Sequence, residues 1–574
     1  MSLALAPAPP SPVPHGFTDG AETLTDALRL LAERFPDFPC LTVLDRRGHE
    51  ARLALGELWT RAGHVQAALV ARGLRPGDIA LLALPTGPDL LAAYFGVMRA
   101  GGVPGLIATP SNRVADRHVY AVRVGAIIAD ATARVLICDA DLAGLFGGDG
   151  QALLAGAALL TPADIPATAA APPPRAATPD GIATVQYSSG STGTPKGILL
   201  THRAMLNNIR DVRDGLGLTP ADVSVNWIPL YHDMGLIDAF LLPLLSGCPC
   251  VLIPTMDFMR DPALWLWAVH RYRGTLSWAP NFAYTICAKR VADTELAGLD
   301  LSSWRIAINA AEPVLASTIA AFTRRFAAHG FAPGAMTPAW GLAENVTIAT
   351  AHPVGTPPRV ETIDRPTLVG EALARPTDGD GLASVAIGRC LPRCAVEVRD
   401  EQGRALPDRR VGEVWLRTDS LFVGYHGNPT LTARVLVDGW LNTGDRGYLV
   451  DGDLHFIARD KDVIVIGGEK YAPHDIETII NRVDGVREGC AVAFGVLNEE
   501  RGTEDIAAVA ETKLEDAAAL EALREQIRAA VTAATGLALR HVILVPPGGI
   551  EKTTSGKLAR RATRARYAEA LADG

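Results

Sequence analysis

Ten residues, Ser188-Ser-Gly-Ser-Thr-Gly-Thr-Pro-Lys-Gly197, separate the apolar stretch Ile182 to Tyr187 from a second, Ile198 to Leu200. Small residues let backbone N–H groups approach an anion, the hydroxyls add donors, and Lys196 adds positive charge. A loop of this composition suits a polyphosphate; a flexible Ser/Gly linker is the competing reading. It is not the phosphate loop of kinases and GTPases, in which the lysine follows Gly and precedes Ser or Thr, because Lys196 follows Pro195 and precedes Gly197. The flanks read as a strand running into the loop and a helix beyond it, with Thr201 as the predicted cap.

Upstream, Leu28 to Phe35 reads as a helix, Ile79 to Leu84 as a buried strand and Leu90 to Ala100 as another helix, an alternation that implies a parallel sheet. Thr161 to Asp180, rich in Ala and Pro, reads as a linker or surface loop. The longest uncharged apolar run, Ala239 to Pro254, is broken by Pro243, Gly247 and Pro249; it is too short to span a membrane and is expected in the core. Leu315, Ile319, Phe322 and Phe326 recur at helical spacing, one face for packing. From about Arg459 the pattern becomes that of a compact α+β unit. It has a helix with Ile476, Ile479, Ile480 and Val483, and strands at Ala491 to Phe494 and Ile506 to Ala510. A long helix carrying Leu520, Leu523, Ile527 and Val531 follows, with Gly536 as its C-cap.

The chain of 574 residues exceeds one ordinary core, and 48% hydrophobic with 20% charged residues is the balance of a folded enzyme. A net charge of −9 without a basic stripe argues against nucleic acid as a partner. The eight cysteines lack paired zinc spacing and are expected mostly as buried thiols. The first residues lack the features of a signal peptide, so a frayed N-terminus and a cytoplasmic setting are expected.

The 188–197 loop resembles the phosphate-binding signature of the adenylate-forming superfamily, which includes acyl-coenzyme A synthetases, luciferases and the adenylation domains of peptide synthetases. Further signatures of that superfamily follow in order: Trp227 to Leu236, Asn309-Ala-Ala-Glu-Pro313, Trp340-Gly-Leu-Ala-Glu344, Thr443-Gly-Asp-Arg-Gly447, Arg459-Asp-Lys-Asp462 and Thr553-Thr-Ser-Gly-Lys557. Trp227 to Leu236, Trp278 to Tyr284 and Asp300 to Arg305 most resemble the fatty acyl-AMP ligases, which load acyl adenylates onto acyl carrier proteins. The segment from about Pro357 to Ile387 resembles the insertion that sets those ligases apart from coenzyme A synthetases. The fold this implies is α/β: a large N-terminal domain of two doubly wound sheets plus a distorted β-barrel, and a small mobile α+β C-terminal domain. Residues 1–20 would be a flexible N-terminus, 21–458 the large ATP- and acyl-binding domain, 459–462 the hinge with Lys461, and 463–574 the lid.

The resemblance also implies roles. Ser188, Ser189, Gly190, Ser191, Thr192, Gly193, Thr194 and Lys196 would hold the phosphates of ATP, and Glu344 a Mg²⁺ ion. Ala311, Glu312, Trp340 and Gly341 match the adenine pocket, although Ala310 and Trp340 stand where the family usually has Gly and Tyr. Asp445 and Arg459 match the ribose contacts. His232 would guide the substrate carboxylate, with Met234, Phe282 and Tyr284 helping to line the acyl pocket. Lys557 would reach the carboxylate and the α-phosphate bridge, completing a catalytic set with Lys196, His232 and Glu344. A carboxylate is a poor electrophile until one oxygen becomes a good leaving group, and attack on the α-phosphorus makes AMP that group; the charge gathered in the transition state calls for cations and donors.

The implied reaction is activation of a fatty acid to acyl-AMP with release of pyrophosphate, then transfer to the phosphopantetheine thiol of an acyl carrier protein. Two alternatives stand beside it: a coenzyme A ligase, including one for a bulky or cyclic acid, and a nucleotide-binding structural or regulatory protein that keeps the fold without activity. Lys557→Ala is expected to remove most adenylation while leaving ATP binding largely intact; an unchanged adenylation rate would refute the role given to this lysine.

Overall fold

The computed structural model describes residues 5–6, 11–109, 117–167, 171–188, 196–466, 469–498, 503–553 and 556–572. Ser189 to Pro195 of the predicted phosphate loop lie outside this set.

The first helix, Leu24–Arg34, starts four residues before its apolar rhythm suggests, because the Thr23 hydroxyl accepts the Asp26 N–H at 3.1 Å and caps it. The strand Ile79–Ala83 is buried at all five positions. It lies within a four-stranded parallel sheet ordered Val103–Leu106, Ile79–Ala83, Val135–Cys138, Ala158–Leu160. The helix Pro88–Arg99 opens on proline, which needs no N–H partner there.

A second sheet has nine strands. Its centre runs Pro39–Leu44, Cys250–Leu252, Ser224–Asn226, Leu276–Ala279, Ile306–Asn309, Met336–Gly341, every neighbour parallel. Antiparallel strands close the edges: Glu50–Ala54 on one side, Ile348–Ala351 and Arg389–Cys390 on the other. Such strands are covered on both faces, which is why they read as continuous apolar runs. The helix Ala316–Phe326 buries Ile319, Phe322 and Phe326, the face its spacing predicts.

The apolar run 239–254 is buried, as expected, but is divided between a π-helix Met234–Leu241, a helix Leu242–Ser246 and the strand Cys250–Leu252. Gly247 makes the turn between the last two in the left-handed region, φ 72°. The Ala/Pro-rich segment carries no regular element over 171–180, yet it is strapped down. Arg99, buried and stacked 3.7 Å over the Trp59 ring, donates to the Pro172 carbonyl and to Gln66, whose amide donates to the Pro173 carbonyl at 2.9 Å. Six of the eight cysteines are buried thiols, whereas Cys390 is exposed and Cys394 half-buried.

Downstream, a five-stranded antiparallel sheet built from Cys394–Arg399, Gly412–Thr418, Leu436–Val437, Trp440–Val450 and Asp453–Arg459 stands where a distorted barrel is expected. The insertion-like segment forms a hairpin, Val360–Ile363 with Leu382–Val385, around a short helix Arg365–Gly370. The C-terminal α+β part is a three-stranded sheet, Val486–Asn498, Thr503–Thr512 and Leu539–Val545, packed by the helices Pro473–Ile480 and Ala517–Thr535. Gly536 caps the longer helix at φ 73°. No helix of the described residues is long and apolar enough to cross a membrane.

Behind the second sheet, fully buried Trp265 meets Trp227, Phe258, Tyr284 and Trp304 at ring separations of 5.0 to 6.3 Å. Trp265→Ala leaves a cavity no neighbour can fill and is expected to destabilise this part of the chain by about 3–5 kcal/mol, read as an earlier urea transition by tryptophan fluorescence.

Candidate active site

Four adjacent parallel strands of the large sheet end in the segments that carry the candidate residues. Ser224–Asn226 leads to His232, Leu276–Ala279 to Phe282, Ile306–Asn309 to Glu312, and Met336–Gly341 to Glu344. Loops beyond the carboxyl ends of parallel strands are where open α/β sheets bind ligands.

His232 sits in a tight turn: its N–H donates to the Pro229 carbonyl, and its own carbonyl accepts from Gly235 and Leu236 at 2.9 Å. A Cβ on Gly235 would lie 2.1 Å from the Pro229 oxygen, so only glycine allows this turn. Nδ1 of His232 lies 2.5 Å from Oδ1 of Asp233, and Nε2 lies 3.0 Å from Nζ of Lys557, 325 residues further on. Burial lowers the Lys557 ammonium below its ordinary value, an effect resisted by the carboxylates of Asp233 and Glu312. Burial pushes Asp233 upward, but His232 and Lys557 outweigh it and hold its carboxyl at about 2. Burial raises Glu312, whose Oε1 accepts the Phe282 N–H at 2.5 Å. The Phe282 ring faces the loop that carries Lys557: a Cβ on Gly556 would stand 3.3 Å from it.

A second group surrounds Asp445, which is 5% exposed and sits across from Arg459 in register on the neighbouring strand. Trp340 Nε1 donates to its Oδ2 at 2.8 Å, and Arg459 Nε lies 3.5 Å from its Oδ1. Among the described residues no hydrogen bond reaches that buried Oδ1. Burial raises the Asp445 carboxyl. Nearby Lys461 is brought down to about 8 by burial and by the charge of Arg459. Ala311 takes a left-handed backbone, φ 70°, beside buried Ala310.

The third group is Glu344, in a 3₁₀ turn, with Lys196. The Tyr425 hydroxyl donates to Glu344 Oε1 at 2.7 Å, and Lys196 Nζ lies 5.4 Å from the centre of the same ring. Lys196 opens the strand Lys196–Thr201, paired in register with Ser188, so both ends of the predicted phosphate loop are anchored; Ser189, Gly190, Ser191, Thr192, Gly193 and Thr194 lie outside the described residues. The cap predicted at Thr201 is present, its hydroxyl accepting the Ala204 N–H.

Two side chains are placed otherwise than expected. Tyr284 is fully buried in the aromatic core, its hydroxyl donating to the Ile308 carbonyl at 2.7 Å, so it presents no surface to an acyl chain. Trp340, read as a face for adenine, is 7% exposed and has its indole N–H committed to Asp445; Gly341 ends the same strand. Met234 is buried at the start of the π-helix, and Phe282 touches the lysine loop. Tyr425 and Asp233 went unread. Asp233 stood beside His232 in a quoted motif, whereas Tyr425 lies 81 residues from Glu344 with no local pattern linking them.

The charged form of Lys557 donates to the lone pair of a neutral His232, so this contact is lost as pH rises through the lowered Lys557 value. Methyl-lysine NMR is expected to show, beside the lowered amines of Lys461 and Lys289, a further amine titrating below the free-lysine range that is absent in Lys557→Arg; a Lys557 signal at the free-lysine value would contradict the burial observed.

The sequence profile of the AMP-binding enzymes matches residues 28–426. A putative acyl-CoA synthetase of Caulobacter vibrioides is 34% identical over 93% of this chain and 96% of its own. A medium-chain-fatty-acid–acyl-carrier-protein ligase of Moorena producens is 32% identical over 86% of each chain. A solved chain from work on fatty acyl-adenylate ligases of E. coli and L. pneumophila superposes with a TM-score of 0.88, at 31% identity, over 96% of this chain and 99% of that one. With the profile spanning well over half of its length, this chain belongs to the AMP-binding enzyme family.

Proposed function

We propose that the chain activates a fatty acid with ATP, forming acyl-AMP and pyrophosphate, and passes the acyl group to the phosphopantetheine thiol of an acyl carrier protein. The observation that carries this reading is the meeting of Lys557 and His232, a cation from the C-terminal part held over the carboxyl ends of the sheet. A substrate carboxylate placed there attacks the α-phosphorus; the new bond is acyl oxygen to phosphorus, and the bond broken is that to the pyrophosphate oxygen. The Lys557 ammonium binds the carboxylate and the bridging oxygen as charge gathers on them. Lys196 and the loop that it closes hold the departing pyrophosphate. The unsatisfied Oδ1 of Asp445 accepts from the ribose hydroxyls while Trp340 fixes its other oxygen, and Arg459 adds a second ribose contact. Ala311, Glu312 and Gly341 border the adenine, and His232, Met234 and Phe282 the acid.

Glu344 suits a Mg²⁺ ion. It is a hard oxygen donor with one oxygen oriented by Tyr425, and among the described residues no cluster of three acidic, His or Cys side chains offers a fuller cage. Glu344 would hold the ion, whose chemistry there would be to supply positive charge against the phosphates.

Residues 21–458 form the body, 459–462 the hinge around Lys461 and 463–574 the lid in this proposal, with the lysine loop withdrawing for thiol attack. A cytoplasmic, reducing setting accords with the thiol cysteines. The carrier protein is favoured as acceptor by the 357–387 hairpin and by the name of the Moorena relative; the coenzyme A reading rests on the name of the Caulobacter relative.

Acyl-AMP formed from a mixed acid library, identified by mass spectrometry, is expected for fatty acids, followed by transfer to a holo carrier protein in preference to coenzyme A. Rapid coenzyme A thioester formation would overturn the acceptor, and absence of acid-dependent pyrophosphate release despite ATP binding would overturn the enzyme.

A further inference from the structure

The ammonium of Lys557 carries only donors, so the atom facing it at 3.0 Å, His232 Nε2, must offer a lone pair. A neutral imidazole with a bare Nε2 holds its proton on Nδ1, and Nδ1 points at Asp233 Oδ1. That oxygen accepts the Met234 N–H at 2.7 Å, at the entrance to the π-helix; the same N–H stands 3.3 Å from Nδ1, much the longer of the two contacts, so the carboxylate oxygen is its acceptor and Nδ1 keeps its proton. The order of donation is therefore Lys557 to His232 to Asp233, and each link determines the next. An amide in place of the carboxylate could turn its NH₂ toward Nδ1, move the proton to Nε2 and set an N–H against the ammonium.

We propose that Asp233 is a positioning residue for acid activation: by fixing the His232 tautomer it docks Lys557 over the site before the acid arrives, leaving two ammonium N–H groups for the incoming carboxylate. The proposal rests on the adenylation reading above. Asp233 need not touch the acid or the nucleotide. It acts through the imidazole, and the aspartate stays ionised throughout the working range because its carboxyl is held near 2. The side chains that face Lys557 are His232 and Asp233 from the turn before the π-helix, Glu312 from the loop after Asn309, and Arg459 from the edge of the antiparallel sheet. Of these, only His232 can be switched between accepting and donating by the group behind it.

The test is a double-mutant cycle on the full chain. Asp233→Asn is expected to lower acid-dependent ATP–pyrophosphate exchange on the order of a hundredfold, the scale of a displaced catalytic group. Transfer of the acyl group from supplied acyl-AMP to a thiol should fall much less, because that step does not use the docked lysine. In a His232→Ala background the same substitution should add nothing. Nitrogen-15 spectra of the imidazole supply a readout independent of turnover, with the proton on Nδ1 in the parent chain and on Nε2 in Asp233→Asn. An equal loss in both half-reactions would mean a merely structural aspartate, and a loss that persists without His232 would mean direct action on Lys557. Either result, unchanged exchange, or an unchanged tautomer overturns the proposal. A parent chain without exchange sinks the adenylation reading instead, and the imidazole spectra still decide the order of donation.

Discussion

A lysine near the end of the chain lies half-buried against a histidine of the central sheet, and the charges around that contact organise the rest of the site. A buried ammonium is costly unless opposed, and the opposing carboxylates come from the loops that follow two strands of the large sheet: Asp233 behind the histidine and Glu312 beside it. Glu312 is itself held by the Phe282 N–H, and the ring of Phe282 supports the turn at Gly556 that presents the lysine. Three residues beyond, Arg560 makes a two-pronged pair with buried Glu477 at 2.6 and 2.7 Å and lies 3.5 Å from Asp462. The lysine loop is therefore tied to its own helix and to the 459–462 segment, while its hold on the sheet is a single charged contact over an aromatic face.

Further charged pairs join the C-terminal part to the rest, beside an apolar contact of Val463 and Ala472 with the cluster around Tyr448 and Ile363. Arg365, from the helix within the insertion-like hairpin, grips Asp475 through two hydrogen bonds of 2.8 and 2.9 Å, and Lys470 reaches Glu401 at 3.1 Å. Lys289 pairs with Glu488. Ion pairs with water access contribute little each and reform readily, in contrast to the apolar clusters that hold the sheets together.

Asp445 and Glu344 each have one oxygen held by an aromatic donor, and the other oxygen of Asp445 faces Arg459 at 3.5 Å without a hydrogen bond among the described residues. Trp340 and Tyr425 are the committed partners, and both are aromatic donors with a single polar atom and a rigid frame. A buried acceptor without a partner lowers stability in the empty protein, and a bound hydroxyl or cation restores what is missing.

Much of this was legible in the linear chain. Continuous apolar runs located parallel strands and period-3.6 patterns helices, Thr201 and Gly536 marked helix ends, and the resemblance to the adenylate-forming superfamily brought Lys196, His232, Glu344, Asp445 and Lys557 together. These are local or ordered features, and chain-local physics is enough to express them. The roles of neighbours were decided by packing. Tyr284, two residues from Phe282 and therefore on the opposite side of their helix, faces the aromatic core where Trp265 and Phe322 enclose it; Trp340 turns edge-on to Asp445; Tyr425 reaches Glu344 across 81 residues. The sequence by itself determined the class of fold and which polar residues were available. Only the tertiary structure decided which of them face one another, because hydrogen-bond partners chosen across hundreds of residues leave no periodicity for the chain to display.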